Sequence, residues 1–177
     1  YNYFKRDVLR NAFCEVSIAE RAVTKLVAKI NGQPFETEVV PERLEVIPPP
    51  KPIKDMSHAT IAFASDGGLV PSANPDRMAT RSNLIWNSYN LDELFKDYTV
   101  VHAGYFNDYV LQDPNRLLPK DVLEDMAKEG KIGKLDLTYY AMPACTTVSK
   151  RCAEVGEEMA ADVVKRGGID GIILTST

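Results

Sequence analysis

Histidine, cysteine and tryptophan are scarce in this chain: its 177 residues hold two, three and one of them. With only His58 and His102, a His-rich metal site cannot be assembled. Cys14, Cys145 and Cys152 are odd in number and show neither a C-x-x-C nor a zinc spacing. That argues against a disulfide framework and for a reducing, cytoplasmic setting. An excess of one charge sign is missing too. The 21 basic residues against 25 acidic ones leave a net charge of −4, which is no footprint for nucleic acid. No apolar run approaches the roughly 20 residues a membrane-spanning helix needs, and no stretch reads as a signal peptide. The first residue is Tyr1, not Met, so a piece of a longer polypeptide is expected. The remaining composition, 45% hydrophobic and 26% charged, is that of an ordinary globular domain with an appended element.

Periodicity divides the chain in three. Residues 1–32 read as helical and as the end of a preceding helical region. Ile18, Ala22, Leu26 and Ile30 form an apolar stripe, Ser17 and Glu20 a capping box, and Asn31-Gly32 a stop. Residues 33–57 read as a linker, because Pro48-Pro49-Pro50-Lys51-Pro52 favours an extended segment. Residues 58–177 alternate strands and helices, which predicts an α/β domain, incomplete at its C-terminus, built on an open, mostly parallel, Rossmann-like three-layer sheet. The expected strands are Ala59–Ala64, Tyr98–His102, Leu135–Ala141 and a buried Gly171–Leu174. Asp92–Phe95 reads as one short turn of helix. The expected longer helices are Pro119–Lys131, with Val122, Leu123 and Met126 inward, and Thr147–Arg166, with Val148, Cys152, Val155, Met159 and Val163 inward.

Three loops that follow strands carry the residues with chemical potential. Ser65-Asp66-Gly67-Gly68 either lets a backbone approach a ligand or is a tight turn; it matches neither a dinucleotide fingerprint nor a P-loop. In His102-Ala103-Gly104-Tyr105, a histidine at a strand end can move a proton or bind a carboxylate, or simply pack. Cys145 precedes a helix, where a thiol's pKa falls, or it is a small buried residue. Cys152 lies on the apolar stripe and reads as core. Asp113, Asp121, Glu124 and Asp125 read as a solvated face, and Trp86 with Tyr89 as packing. If the strands are parallel, Asp66, His102, Cys145 and whatever follows Thr177 converge on one edge, where such sheets bind ligands.

Ile172-Ile173-Leu174-Thr175-Ser176-Thr177 resembles the segment immediately before the selenocysteine in selenoprotein B of the glycine, sarcosine and betaine reductases, with the D-proline reductase subunit more distant. The resemblance runs through Ala19–Val23, Phe35–Glu38, Lys54–Ser57, Gly67–Pro71, Asn74–Asp76, Leu118–Leu123 and Met126–Gly133, nearly the whole chain. It implies an anaerobic, cytoplasmic reductase that removes ammonia or a methylated amine from glycine, sarcosine or betaine and feeds acetyl phosphate formation. It implies a selenocysteine immediately after Thr177 and a pyruvoyl group on a partner subunit. The other partners it implies are selenoprotein A, the acetyl-phosphate-forming component and a thioredoxin-type reductant. No cofactor is expected in this chain itself, nor a metal, nucleic acid or membrane.

On that resemblance, His102, Cys145 and Thr177 fall in the catalytic set. Asp66, Gly67, Gly68, Gly104, Tyr105, Thr175 and Ser176 line the substrate site or place the selenocysteine. Two departures from the family pattern, Ala103 in His102-Ala103-Gly104-Tyr105 and Met142-Pro143-Ala144-Cys145-Thr146-Thr147 in place of a glycine-rich turn, give Cys145 a candidate role as a resolving thiol. A non-catalytic α/β binding module and a docking subunit of a larger complex remain the alternatives.

Overall fold

The computed structural model describes residues 14–37 and 46–177. The chain divides into two units, Tyr1–Pro50 and Lys51–Thr177. In the first, helix α1 spans Ile18–Ile30, and the Ser17 hydroxyl accepts from the Glu20 N–H at 3.2 Å. Residues 14–17 are not helical, and the helix expected over residues 1–13 lies outside the described residues. Ile18, Leu26 and Ile30 are exposed.

The second unit is α/β. Its elements run β1 (Thr60–Ser65), β2 (Leu69–Pro71), β3 (Asn87–Asn90), α2 (Leu91–Leu94), β4 (Tyr98–Val100), α3 (Asp108–Gln112), α4 (Lys120–Lys128), β5 (Lys134–Ala141), α5 (Ser149–Arg166) and β6 (Gly171–Thr175). A four-stranded sheet has the order β3-β5-β1-β6. β1 pairs in parallel with β5 and β6, setting Ser65 opposite Ala141 and Thr175, while β3 closes the β5 side antiparallel. β1 is buried along its whole length, as a strand covered on both faces must be.

Side chains alternate across this sheet. Ile61, Phe63, Tyr139 and Ala141 pack with Leu117, Leu118 and Leu123 in the main core, where removing a ring such as that of Phe63 would cost about 3–5 kcal/mol. Tyr140 points the other way and donates to Asp162 of α5 at 2.9 Å. Helices α4 and α5 therefore cover opposite faces and make three layers. The connection from β1 to β5 runs on the α4 side and that from β5 to β6 on the α5 side. Adjacent strands whose connections leave to opposite faces open a crevice at their carboxyl ends.

The structure changes several expectations. Tyr98–His102 is not a strand of the parallel sheet: β4 stops at Val100 and pairs antiparallel with β2 in a separate two-stranded sheet. Three-residue strands joined edge to edge carry too little pattern to be assigned from sequence. β6 is an edge strand with Ile172, Ile173 and Leu174 exposed, not a buried one. α4 turns Val122 outward and Leu123 inward. α5 starts at Ser149, so Val148 is its exposed N-cap, while Val155 is buried.

Candidate functional site

Asp66 stands at the carboxyl end of the central strand, and the backbone around it is held on both sides. Met142 N–H donates to Ser65 O at 3.1 Å and Ala144 N–H to Asp66 O at 3.3 Å, while Asp66 N–H reaches Thr175 O at 3.4 Å. The turn out of β1 is thus tied to the ends of β5 and β6. Ser65 Oγ accepts the Gly67 N–H at 3.0 Å, and Ser176 Oγ donates to Asp66 Oδ2 at 2.8 Å. Among the described residues no lysine or arginine pairs with Asp66.

The glycines of this turn are there for space. Gly68 has φ +77°, and a Cβ on it would stand 2.4 Å from Val101 O and 3.1 Å from His102 Cβ. That close approach brings the His102 loop onto the turn from the small sheet, with Val101 N–H donating to Gly68 O at 2.8 Å. A Cβ on Gly67 would meet Leu117 at 2.6 Å and Thr177 Cγ2 at 3.1 Å.

His102 is 9% exposed. Its Nδ1 accepts the Gly104 N–H at 3.0 Å, which leaves the proton of the neutral ring on Nε2. Burial lowers its pKa from the ordinary 6.5, and the Asp66 charge opposes that only in part. The Tyr105 ring lies 5.2 Å from the imidazole. Its hydroxyl donates to Gly67 O at 2.9 Å, and burial, then the Asp66 charge, push its pKa up to about 12. Tyr105 is therefore a neutral donor that locks the two loops together.

Cys145 joins this group. A Cβ on Gly104 would sit 2.7 Å from His102 Cε1 and 3.3 Å from Cys145 Sγ, so the glycine is the gap across which ring and thiol face each other. Cys145 lies in a turn ahead of α5 (Thr146 has φ +58°), not in the helix's first turn. The helix-terminus argument for its reactivity is thereby removed. Cys152 is half-buried, and burial, then the Asp66 charge, push its thiol pKa up, as suits a packed residue. Trp86 packs, 6.0 Å from Tyr140, with Nε1–H donating to Glu158 at 2.7 Å.

The structure thus gathers Asp66, Gly67, Gly68, His102, Gly104, Tyr105, Cys145, Thr175, Ser176 and Thr177 around the β1 end. Sequence reasoning missed two contributors. Segment 80–83 braces both flanking loops: Ala103 N–H donates to Thr80 O at 3.2 Å and Ser82 N–H to Cys145 O at 2.7 Å. Tyr139, fully buried, sits within electrostatic reach of Asp66 and Tyr105. The alternation in Leu135–Ala141 places Tyr139 on the face of Ser65, a signal present in the sequence but not used. Among the described residues no cluster of three or more metal-ligating side chains occurs, and no helix is long and apolar enough to cross a membrane.

The family model for glycine/sarcosine/betaine reductase selenoprotein B matches residues 1–177. The chain belongs to this family. It is 42% identical, over 99% of its length and 41% of the relative's, to the glycine reductase complex component B subunit gamma of Carboxydothermus hydrogenoformans. Against the betaine reductase complex component B subunit beta of Peptoclostridium acidaminophilum it is 37% identical over 90% of its length and 37% of the relative's. The sarcosine reductase complex component B subunit beta of the same organism is 34% identical over 99% of this chain and 41% of its own length. The chain therefore spans about two fifths of the length of the curated relatives it matches. No solved structure matches it.

Proposed function

We propose that the full-length protein is the substrate-activating B subunit of a cytoplasmic, anaerobic reductase that reductively deaminates glycine, sarcosine or betaine and feeds acetyl phosphate formation. The observation that carries this reading is the whole-chain family match, supported by the gathering of polar side chains at the β1 end. The family is named for a selenoprotein, and we place its selenocysteine directly after Thr177. Ser176, bonded to Asp66, and Thr177, packed toward Gly67, are the residues that would hold it at the β1 end. A selenolate supplies a nucleophile ionised at neutral pH.

The chain's own residues do the rest. Nε2–H of His102 binds the substrate carboxylate or passes a proton, with Gly104 fixing the ring. Asp66, Gly67 and Gly68 line the pocket, and Tyr105 holds the two loops in register. Thr175, Ser176 and Thr177 place the selenocysteine, and Cys145 stands across Gly104 as a resolving thiol. The partners in this reading are a pyruvoyl-bearing subunit, selenoprotein A, the acetyl-phosphate-forming component and a thioredoxin-type dithiol.

The test is anaerobic reconstitution of the full-length protein with its partner subunits, following acetyl phosphate with each of the three substrates. Turnover with at least one is expected, falling by about a hundredfold or more in His102→Ala. No turnover with any of them contradicts the reading.

A further inference from the structure

The three parallel strands lie in the order β5-β1-β6, so the second and third in chain order flank the first. That is the start of a common doubly wound order, whose next strand lies outside the third. β6, the third, has no neighbour on its outer side among the described residues. Thr175 O turns inward to the Asp66 N–H, and backbone directions alternate along a strand. The N–H and C=O of Ile172 and Leu174 therefore point outward. The side chains do not suit an edge either. Ile172 and Leu174, 38% and 79% exposed, lie on one face, and Ile173, 37% exposed, on the other. An apolar run on both faces is the pattern of an interior parallel strand, whereas sheet edges are normally guarded by charge, proline or a bulge.

The helix layer has room beside the same strand. Leu174 is in register with Ala64, and Ala64 with Tyr140, whose hydroxyl meets Asp162 of α5. Ile172 and Leu174 are therefore on the α5 face. Yet α5 is anchored toward the other edge. Arg151 donates to Leu84 O at 2.8 Å, and Glu158 accepts from Trp86 Nε1 at 2.7 Å, both in the segment that leads into β3. The opposite flank of α5 presents Ala153, Gly156 and Ala160, all exposed, and a Cβ on Gly156 would meet nothing within 4 Å. Small residues let a neighbouring helix approach closely. Small helix flank and aliphatic strand together outline a seat for one helix.

We propose that in the full-length protein the segment after Thr177 forms a helix seated between α5 and β6, and then a further parallel strand along the outer side of β6. The occupant is this chain's own continuation for two reasons. The chain covers 37–41% of the lengths of its curated relatives, and a crossover with its helix needs only about 12 residues or more. Handedness then fixes the place. α5 carries the step from β5 past β1 to β6, and a second right-handed step in the same direction puts its helix on the same face. That is the face of Ile172 and Leu174. The proposal rests on the reading that the full-length chain continues past Thr177, and it deepens that reading: the residue after Thr177 then follows an interior strand, as Asp66 does.

Residue-resolved hydrogen exchange of the isolated full-length protein tests this, with Ile173 as internal control. An interior β6 slows the amides of Ile172, Ile173 and Leu174 alike, each by about a hundredfold or more relative to an open chain. An edge β6 gives alternation, with Ile173 slow and Ile172 and Leu174 fast, and that overturns the proposal. Uniform protection that fades on dilution marks a strand from a second copy and overturns it too. Ala160→Arg is nearly neutral on an open helix surface, so a covered flank should show a lowered urea midpoint in the full-length protein. An unchanged midpoint contradicts the seated helix. If that variant does not fold, the exchange pattern of the parent decides alone. Acetyl phosphate turnover by the same preparation, reconstituted with its partner subunits, separates the two readings. Turnover with alternating amides contradicts only this proposal, and uniform protection without turnover contradicts only the reductase reading.

Discussion

Gly68→Ala is the sharpest probe of how the two sheets meet at the site. Two effects add. At φ +77°, a Cβ costs about 1–2 kcal/mol from backbone sterics alone. In addition, that Cβ would lie 2.4 Å from Val101 O and 2.8 Å from Val101 C, and these are backbone atoms that cannot rotate away. The loop has to move, which strains the packing by about 1–3 kcal/mol and gives up the Val101–Gly68 hydrogen bond for about 1 kcal/mol more.

The total is about 3–6 kcal/mol, a drop of about 1 M or more in urea midpoint. Gly130→Ala is the internal control. Its φ is +70°, but nothing lies within 4 Å of the added methyl, so it should lose only the backbone part, about 1–2 kcal/mol. Urea unfolding of both variants beside the parent isolates the contact. If Gly68→Ala is no more destabilising than Gly130→Ala, the close approach of the His102 loop to the β1 turn is wrong, and so is the site built on it.

Other outcomes follow from the same geometry. Tyr105→Phe leaves Gly67 O without its donor and should cost about 1–2 kcal/mol in urea unfolding, with little change expected if the two loops are not joined there. Tyr140→Phe removes the hydroxyl that meets Asp162 at 2.9 Å and Arg166 at 3.3 Å and should cost about 1 kcal/mol without touching substrate binding. The folded-state pKa of His102 is below 6.5, so on acidification the unfolded chain takes up the proton first. Stability from this residue is therefore complete above 6.5 and lost as pH falls through 6.5 toward the folded value. Urea midpoints from about pH 7.5 down to about 5.5 should fall more steeply in the parent than in His102→Gln, and equal slopes would remove burial of the neutral ring as the cause.

Local pattern made the long elements readable. The run Thr60–Ser65 and the alternation in Leu135–Ala141 announce strands that reach the core, and the stripe through Val155 announces a helix that touches it mainly at that residue. Asp66, His102 and Cys145 were legible as candidates because each follows a strand or strand-like run. The means of their meeting was not. His102 arrives on a three-residue strand paired with another of the same length, and no periodicity marks so short a ladder. β3, in Asn87–Asn90, is polar and half-exposed, so nothing in its own pattern marks a strand without β5 beside it. Tyr139 reads as one more core aromatic, and only its place on the Ser65 face of the sheet distinguishes it.

The central claim is that the crevice at the β1 end serves a selenocysteine directly after Thr177. Peptide mass spectrometry of the full-length protein, purified anaerobically, tests it on the peptide that continues from Gly171–Thr177. The account predicts a selenium isotope envelope assigned to the residue after Thr177; a peptide that carries no selenium at that residue contradicts it.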